Sequence, residues 1–271
     1  MTKDDAVLRL TRVVSAALVP FLVVGFMVVY VFPNDTERLF AWGINPPMTS
    51  MMLGSAYLGG AFFFVRAFRS RQWHTLKVGF VSVGLFAALM AVATIIHWDK
   101  FNHEHLAFWL WTLLYFVAPV LVAVLYVTNR RTERPQTPTE VQLPPMARSV
   151  IGALGVVAVA FGVFLFVLPE EAIDIWPWAV TPLTARVLGA TLMLGIAGLG
   201  MFADPRWTTA RLMLQVEIFM MALILVGAVR ASDDFNYSRA ITWLFVGGFS
   251  STLVASIALM LTMDARARRP T

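Results

Sequence analysis

The sequence predicts an all-α polytopic membrane protein: eight transmembrane helices form two parallel four-helix repeats, and both termini are cytoplasmic. The first supporting observation is composition, since 59% of the 271 residues are hydrophobic, 14% are charged and the mean hydropathy is +0.73. Such a chain is too apolar for an ordinary soluble domain. The second is a motif that occurs twice, and the third is an uneven distribution of Lys and Arg.

Apolar stretches of roughly 20 residues, long enough to cross a hydrocarbon layer of ~30 Å, recur along the whole chain. The first follows a short polar arm, and no small-residue cleavage site comes after it. We therefore interpret it as a retained span and not as a signal peptide. The spans are predicted at residues 13–32, 47–68, 76–97, 106–127, 149–168, 182–203, 210–229 and 240–263.

The repeated motif joins Asp, Phe and Asn in a loop to a Trp seven residues further on. Its two copies are separated by 134 residues, and the same displacement relates two upstream tryptophans. Paired Trp, Asp and Asn at a fixed spacing are far more specific than matching apolar residues, so the sequence predicts an internal duplication. The matched positions are Asp99, Phe101, Asn102 and Trp109 with Asp233, Phe235, Asn236 and Trp243, and Trp73 with Trp207.

The duplication divides the chain into a first repeat at 1–128, a cytoplasmic linker at 129–148 and a second repeat at 149–271. The linker is the only long polar stretch, and it is rich in Pro. Each repeat has four spans, an even number, so both repeats enter the membrane from the same side. They are therefore predicted to be parallel, related by an axis along the membrane normal.

The doubled Pro-x-Thr motif, at Pro47 to Thr49 and Pro182 to Thr184, accompanies the doubled Asp-x-Phe-Asn-x6-Trp motif. Together they resemble the motifs of uncharacterised bacterial multi-pass membrane proteins, and the resemblance covers most of the chain. It implies a multi-pass membrane fold and carries over no activity.

The basic residues lie between apolar runs, which favours a membrane protein over a nucleic-acid-binding protein despite the net charge of +5. With the amino terminus in the cytoplasm, 16 of the 21 Lys and Arg fall on the cytoplasmic side. This bias follows the positive-inside rule and predicts the cell inner (plasma) membrane as the location. The lipid bilayer is the predicted partner, no nucleic acid is expected, and the oligomeric state is left open.

A ligand site is predicted on the outer side, where every repeated motif falls. Helices two and six begin there at Pro, so their positive amino-terminal ends and the nearby Arg186 favour a small anionic or polar ligand. The loop residues would complete the site, although Asp and Asn in such loops also serve simply to close turns. These residues are Asp99, Asn102, Asp233 and Asn236.

A divalent metal is a further possibility, because His97, His103 and His105 crowd one short loop with Asp99 and Glu104. Imidazole and carboxylate groups are the usual ligands of Zn²⁺ and related ions. The spacing matches no full ligand signature, however. The alternative is three histidines in a hydrated loop at the membrane surface.

Glu217 is the one carboxylate predicted inside a span, roughly six residues from the cytoplasmic end of helix seven. A charge in hydrocarbon is costly, so the side chain should face the bundle or water. It either bonds a polar side chain of another helix or couples transport to a proton or cation. Its counterpart in the first repeat is Val83, so any such role belongs to one repeat.

Three function classes follow. A small-solute or ion transporter with a site between the repeats is favoured, a non-catalytic membrane subunit or scaffold is the main alternative, and an enzyme using the outer His and carboxylates is the third. Motifs for phosphate binding, zinc proteolysis and serine hydrolysis are absent, which favours a non-enzymatic role. A cavity reaching the membrane midplane would favour the transporter, a solid core the scaffold, and converging His and carboxylates the enzyme.

Overall fold

The computed structural model describes residues 4–135 and 140–268, and it has eight helices long and apolar enough to cross a membrane. The predicted all-α, polytopic fold is thereby confirmed. We number these helices α1 to α8. Their bounds are α1 Arg9–Val31, α2 Pro47–Arg69, α3 Lys77–Ile96, α4 Leu106–Arg130, α5 Pro145–Val167, α6 Pro182–Ala203, α7 Trp207–Arg230 and α8 Ala240–Ala267.

Three of the eight long helices begin at a proline, which has no N–H to leave unpaired in the first turn. The predicted starts at Pro47 and Pro182 are confirmed. At α6 the threonines also form a capping box: Thr181 Oγ1 accepts from the Thr184 N–H at 3.3 Å, and Thr184 Oγ1 accepts from the Thr181 N–H at 2.7 Å. The third such start, Pro145, lies inside the predicted linker.

Several boundaries differ from the sequence prediction. The helices α4 and α5 extend into both ends of the stretch 129–148, and residues 136–139 of that stretch lie outside the described residues. Lys3 and Arg269, which entered the charge count, lie outside them too. Two short helices that the hydropathy pattern does not indicate occupy the loops after α1 and α5, at Thr36–Leu39 and Pro169–Ile175.

Helix α7 begins at Trp207, three residues earlier than predicted. Hydrogen bonds hold this start in place: the Trp207 N–H donates to the Val141 carbonyl at 2.8 Å, and the indole N–H donates to Asp264 at 3.2 Å. Long-range contacts of this kind cannot be read from hydropathy, so the apolar pattern alone placed the helix end too late.

The inner helices of the bundle are α2, α3, α6 and α7, and they interleave the two halves of the chain. Helix α2 packs against α1, α7 and α6, whereas α3 packs against α4 and α6. The outer helices α1, α4, α5 and α8 pack on α2, α3, α6 and α7 respectively. Burial follows this order: 78% of the apolar window of α2 is buried, against 11% in α8.

We call the end of the bundle that holds both Asp-x-Phe-Asn loops the Asp-x-Phe-Asn end. We call the opposite end the basic end, and it is formed by residues 4–8, 70–76, 131–135, 140–144, 204–206 and 268. At the basic end, His74 links the halves. Its Nδ1 is hydrogen-bonded to Asp5, and its Nε2 lies 3.0 Å from the Thr208 hydroxyl. Asp5 and His74 are 1% and 0% exposed, so this pair is shielded from water. Sequence analysis did not predict this pair, because its two residues are 69 positions apart and belong to no motif.

A second ionic cluster lies beside this pair. Lys77 Nζ is 2.6 Å from Glu133 and 2.9 Å from Asp204, and the Asp204 carboxylate also accepts from the guanidinium of Arg206. Burial opposes ionisation of Asp204, but the hydrogen bonds from Arg206 and Lys77 outweigh it and hold the pKa at about 2. The cluster joins the start of α3 to the turn between α6 and α7.

Replacing His74 by Ala should destabilise the protein by about 3 kcal/mol or more, because it leaves the buried Asp5 carboxylate without its partner. Thr208→Val removes only the outer hydrogen bond and should cost about 1 kcal/mol. Reversible unfolding in mixed micelles measures the free energy of unfolding of both variants relative to the wild type. Equal, small losses would contradict a linking role for the Asp5–His74 pair.

Candidate ligand-binding cavity

The two motif asparagines close their own loops. The Asn102 N–H donates to the Ala41 carbonyl at 2.9 Å, and the Asn236 N–H donates to the Pro177 carbonyl at 2.8 Å. Each Asn side-chain oxygen also accepts from the backbone N–H two residues further on. These bonds fix the loops against the segments that precede α2 and α6. The structure thus gives both asparagines the turn-closing contacts that were the alternative to ligand binding.

The motif aspartates lie at the surface of this end. Asp99 is paired with its neighbour Lys100 at 2.8 Å, and that hydrogen bond lowers the pKa of Asp99. Asp233 is exposed. The residue after it, Asp234, accepts from the Met48 N–H in the first turn of α2 at 2.8 Å. The amino terminus of α2 is therefore occupied by a carboxylate of this chain, a contact that sequence analysis missed.

The three loop histidines have separate surroundings. His97 Nε2 lies 2.7 Å from Arg186 Nη1, and His105 Nδ1 accepts from the first turn of α4. The His103 ring packs against the rings of Trp98 and Phe108. Within residues 4–135 and 140–268, no three His, Cys, Asp or Glu side chains converge on a position for a metal ion. The structure does not bring the predicted ligands together.

Arg186 and His97 are in contact, although sequence analysis assigned the first to a ligand site and the second to a separate metal site. Because the guanidinium donates to His97 Nε2, that nitrogen must carry a lone pair. Burial lowers the pKa of His97, and the positive charge of Arg186 lowers it further. Arg186 Nε is buried without a hydrogen-bond partner in the described structure. Arg186 thus serves the contact between α6 and the loop after α3.

One shallow polar depression lies at the Asp-x-Phe-Asn end, where a junction of the two repeats was expected. Its walls come from residues 173–180 and 234–239, all from the second half of the chain. Of the predicted ligand residues only Asn236 lines it. Arg239, at its edge, donates to the Trp176 carbonyl at 2.5 Å. The depression at the Asp-x-Phe-Asn end therefore does not gather the predicted site.

A cavity of 560 Å³ lies inside the helix bundle. Residues of seven helices line it, all except α4, together with Trp176 and Pro177 from the segment before α6. Nearly all of these side chains are apolar, and aromatic rings and Met are prominent among them. A concave, mostly apolar site with few polar groups is the usual form of a small-molecule site. The polar residues of the wall are Tyr57, Ser82, Thr191, Glu217, Thr252 and Ser256.

Glu217 lies deeper than the sequence indicated. Because α7 begins at Trp207, the residue is ten positions into the helix, a rise of about 15 Å at ~1.5 Å per residue. That is roughly half of a ~30 Å hydrocarbon layer, so the carboxyl is near the middle of the bundle. It is partly exposed to the cavity, and no hydrogen bond or ion pair to another described residue involves it.

Two hydroxyls of the wall differ from Glu217 in being satisfied by their own helices. The Ser82 hydroxyl donates to the Val78 carbonyl at 3.2 Å, and the Thr191 hydroxyl donates to the Val187 carbonyl at 2.9 Å. Glu217 is also the only charged residue among the described residues of the wall. The carboxyl of Glu217 is therefore the group that can give this cavity a preference for charge.

The cavity opens sideways between α5 and α8. Leu154, Val157 and Phe161 of α5 line it and are 43%, 53% and 39% exposed, and Leu244 of α8 is 68% exposed. Gly248 of α8 also lines it, and a Cβ added there meets nothing within 4 Å. The Gly-Gly pair at this level of α8 is the sequence signal for the opening, since small residues leave space between helices.

No protein-family model, curated protein or solved structure matches this chain. The resemblance to bacterial multi-pass proteins stays a prediction, and the functional argument depends on the cavity and on Glu217.

Arg186→Met should raise the pKa of His97, because it removes a neighbouring positive charge and leaves the burial of the imidazole. A pH titration of the histidine NMR signals measures the shift, with His97→Gln assigning the resonance. Lys100→Met, which removes a smaller effect of the same sign, should raise the pKa less. An unchanged titration in Arg186→Met would show that the guanidinium does not act on His97.

Proposed function

We propose that the protein transports a small solute across the membrane, with the central cavity around Glu217 as its binding site. The observation that carries the proposal is an unpaired carboxyl facing a cavity near mid-depth of the bundle. A scaffold does not need such a cavity, because a closely packed core without a buried carboxyl would be more stable. The outer-side site is replaced by one inside the bundle.

Glu217 gives this site its chemistry. An ionised carboxylate without a partner is unfavourable in apolar surroundings, so Glu217 either carries a proton or is neutralised by a bound cation. Exchange between these two states links binding of a solute to release of a proton. That exchange is the elementary step of proton-coupled transport, and a single buried carboxyl is sufficient for it.

We also propose that the chain is a duplication of two parallel repeats. Equivalent hydrogen bonds in the two halves support it, since donors and acceptors correspond at displacements of 134 and 136 residues. The matched bonds are Asn102 N to Ala41 O and Asn236 N to Pro177 O; Trp109 Nε1 to His103 O and Trp243 Nε1 to Tyr237 O; Trp73 N to Asp5 O and Trp207 N to Val141 O.

The position of the cavity fits a site between such repeats. Aligned positions of α3 and α7 line it in pairs: Gly79 with Met213, Val83 with Glu217, and Phe86 with Met220. A solute there contacts both halves, as in transporters whose repeats move against one another around a fixed site. Only the second half supplies a carboxyl. The aligned residue of the first half, Val83, contributes an apolar surface to the wall.

Both termini are proposed to be cytoplasmic, in the inner (plasma) membrane. Helices α2, α4 and α8 end at the basic end and carry Arg in their last turns, as the positive-inside rule requires. The arginines concerned are Arg66, Arg69, Arg130 and Arg266.

The absence of native Cys makes this orientation testable with single Cys reporters. An impermeant thiol reagent on intact cells should label exposed Cys at Asn34 and Glu170 and spare Cys at Arg131, because the first two lie at the outer end. Thr137, in the same linker as Arg131, lies outside the described residues. Labelling of Arg131→Cys alone would reverse the proposed orientation.

Transport requires the cavity to face water on each side in turn. Ser82→Cys, in the cavity wall, should therefore react with an impermeant thiol reagent in right-side-out vesicles and in inside-out vesicles. Ser55→Cys is the matched control, since Ser55 is a buried helical serine that donates to its own helix but does not line the cavity. It should stay unlabelled in both preparations.

Labelling is measured as the modified fraction by mass spectrometry. A Ser82→Cys variant that stays unmodified from both sides, while exposed Arg131→Cys reacts in the inside-out preparation, would favour a scaffold and contradict transport.

A further inference from the structure

We propose that the cavity binds an amphiphilic cation, with one positive charge on an apolar body, and that the ligand enters from the hydrocarbon layer through the gap between α5 and α8. The inference rests on the proposed function, because it takes the same cavity as the site. It adds the class of solute and the route of access.

The walls select an apolar body. Aromatic rings and thioethers line the same cavity as Glu217, and these are polarisable surfaces that adapt to differing shapes. A hydrated ion or sugar would lose its water here without gaining hydrogen bonds to replace it. The described wall has few hydroxyl groups, and two of them already donate to their own helices. The aromatic and Met side chains of the cavity wall include Phe63, Phe86, Met213, Met220, Phe245 and Phe249.

Charge then selects a cation. Glu217 is the single carboxylic acid among the described residues of the wall, and none of those residues is Lys, Arg or His. The basic group that the sequence suggested for a ligand, Arg186, is bonded to His97 and does not line the wall. A positive group beside the carboxylate therefore gains an ion pair in low dielectric, whereas an anion is repelled.

The gap between α5 and α8 is a difference between the two halves. Where α8 has Gly247 and Gly248, the aligned residues of α4 are Leu113 and Leu114, and Leu114 packs against the core of the first half. A Cβ at either glycine meets nothing within 4 Å, so the space is open at this level. The first half fills the corresponding position with a leucine side chain.

A hydrogen bond reinforces the difference. In the first half Asn129 of α4 donates to Thr11 of α1 at 2.5 Å and ties the two outer helices together. The residues at the same displacements in α8 and α5 are Met263 and Ala147, which have no hydrogen-bonding groups in their side chains apart from a thioether. The second seam therefore lacks this tie, and its exposed lining residues face the lipid.

The charge selection is tested with tetraphenylphosphonium and tetraphenylborate, which share a shape and differ in sign. Equilibrium dialysis of the purified protein in nanodiscs, against empty nanodiscs, should show saturable binding of the phosphonium ion only. Glu217→Gln should weaken that binding at least about tenfold, because it removes the counter-ion. Glu170→Gln, an exposed carboxyl outside the cavity, should bind as the wild type does.

Equal binding of the phosphonium ion by the wild type and by a folded Glu217→Gln variant would overturn the inference, and so would saturable binding of the borate. Size-exclusion chromatography and tryptophan fluorescence establish that the variant is folded. Binding of the phosphonium ion to the wild type with the expected loss in Glu217→Gln supports it.

The route is tested with two neighbouring substitutions. Gly248→Leu places a side chain in the opening and should slow association of the phosphonium ion roughly tenfold. Gly247→Leu adds the same side chain in open space one residue away, on a residue that does not line the cavity, and should leave the rate unchanged. Equal association rates for the two variants would overturn access between α5 and α8.

The ligand class and transport can fail separately. Selective binding of the phosphonium ion, with Ser82→Cys reactive from one side only, upholds the ligand class and overturns transport. Reactivity from both sides without selective binding overturns the ligand class and upholds transport.

Discussion

A hydrocarbon layer supplies no hydrogen-bond partners, so polar groups inside a membrane-spanning bundle must be satisfied by the protein itself. The described helices of this chain show how that is done: Ser55, Ser82, Thr94 and Thr191 each donate to the carbonyl one turn earlier. The carboxyl of Glu217 departs from that pattern, and it is the one carboxyl of the described cavity wall. Its environment needs a partner that the described protein does not provide, and both functional proposals follow from this deficit.

Helices from both halves of the chain surround the cavity that contains this carboxyl. The inner helices pair across the halves, α2 with α7 and α3 with α6, so neither half closes on itself. Polar contacts fasten both ends of this arrangement: Asp234 on the start of α2 at one end, and the Asp5–His74–Thr208 and Lys77–Asp204 contacts at the other. These contacts hold the helices together at both ends of the bundle, whereas the cavity lies between them in the middle.

Two of the differences between residues related by a displacement of 134 lie at the wall of this cavity. At a displacement of 134 residues, Val83 is matched by Glu217 and Leu114 by Gly248, so only the second half has a carboxyl and a glycine at these two positions. The shared residues, above all the Trp and Asn of the repeated motif, instead make matching loop contacts in both halves. The loop contacts thus lie at residues that the two halves share, whereas the cavity carboxyl lies at a position where they differ.

The sequence by itself determined the number and approximate position of the spanning helices, because hydropathy and length respond to the bilayer directly. It also singled out Glu217, since a carboxylate among apolar residues is conspicuous without any structure. Which residues meet was decided by the tertiary structure alone. Arg186 lies against His97, the three histidines take separate partners, and Asp234 reaches α2, because side-chain contacts depend on helix rotation and packing that no spacing rule encodes.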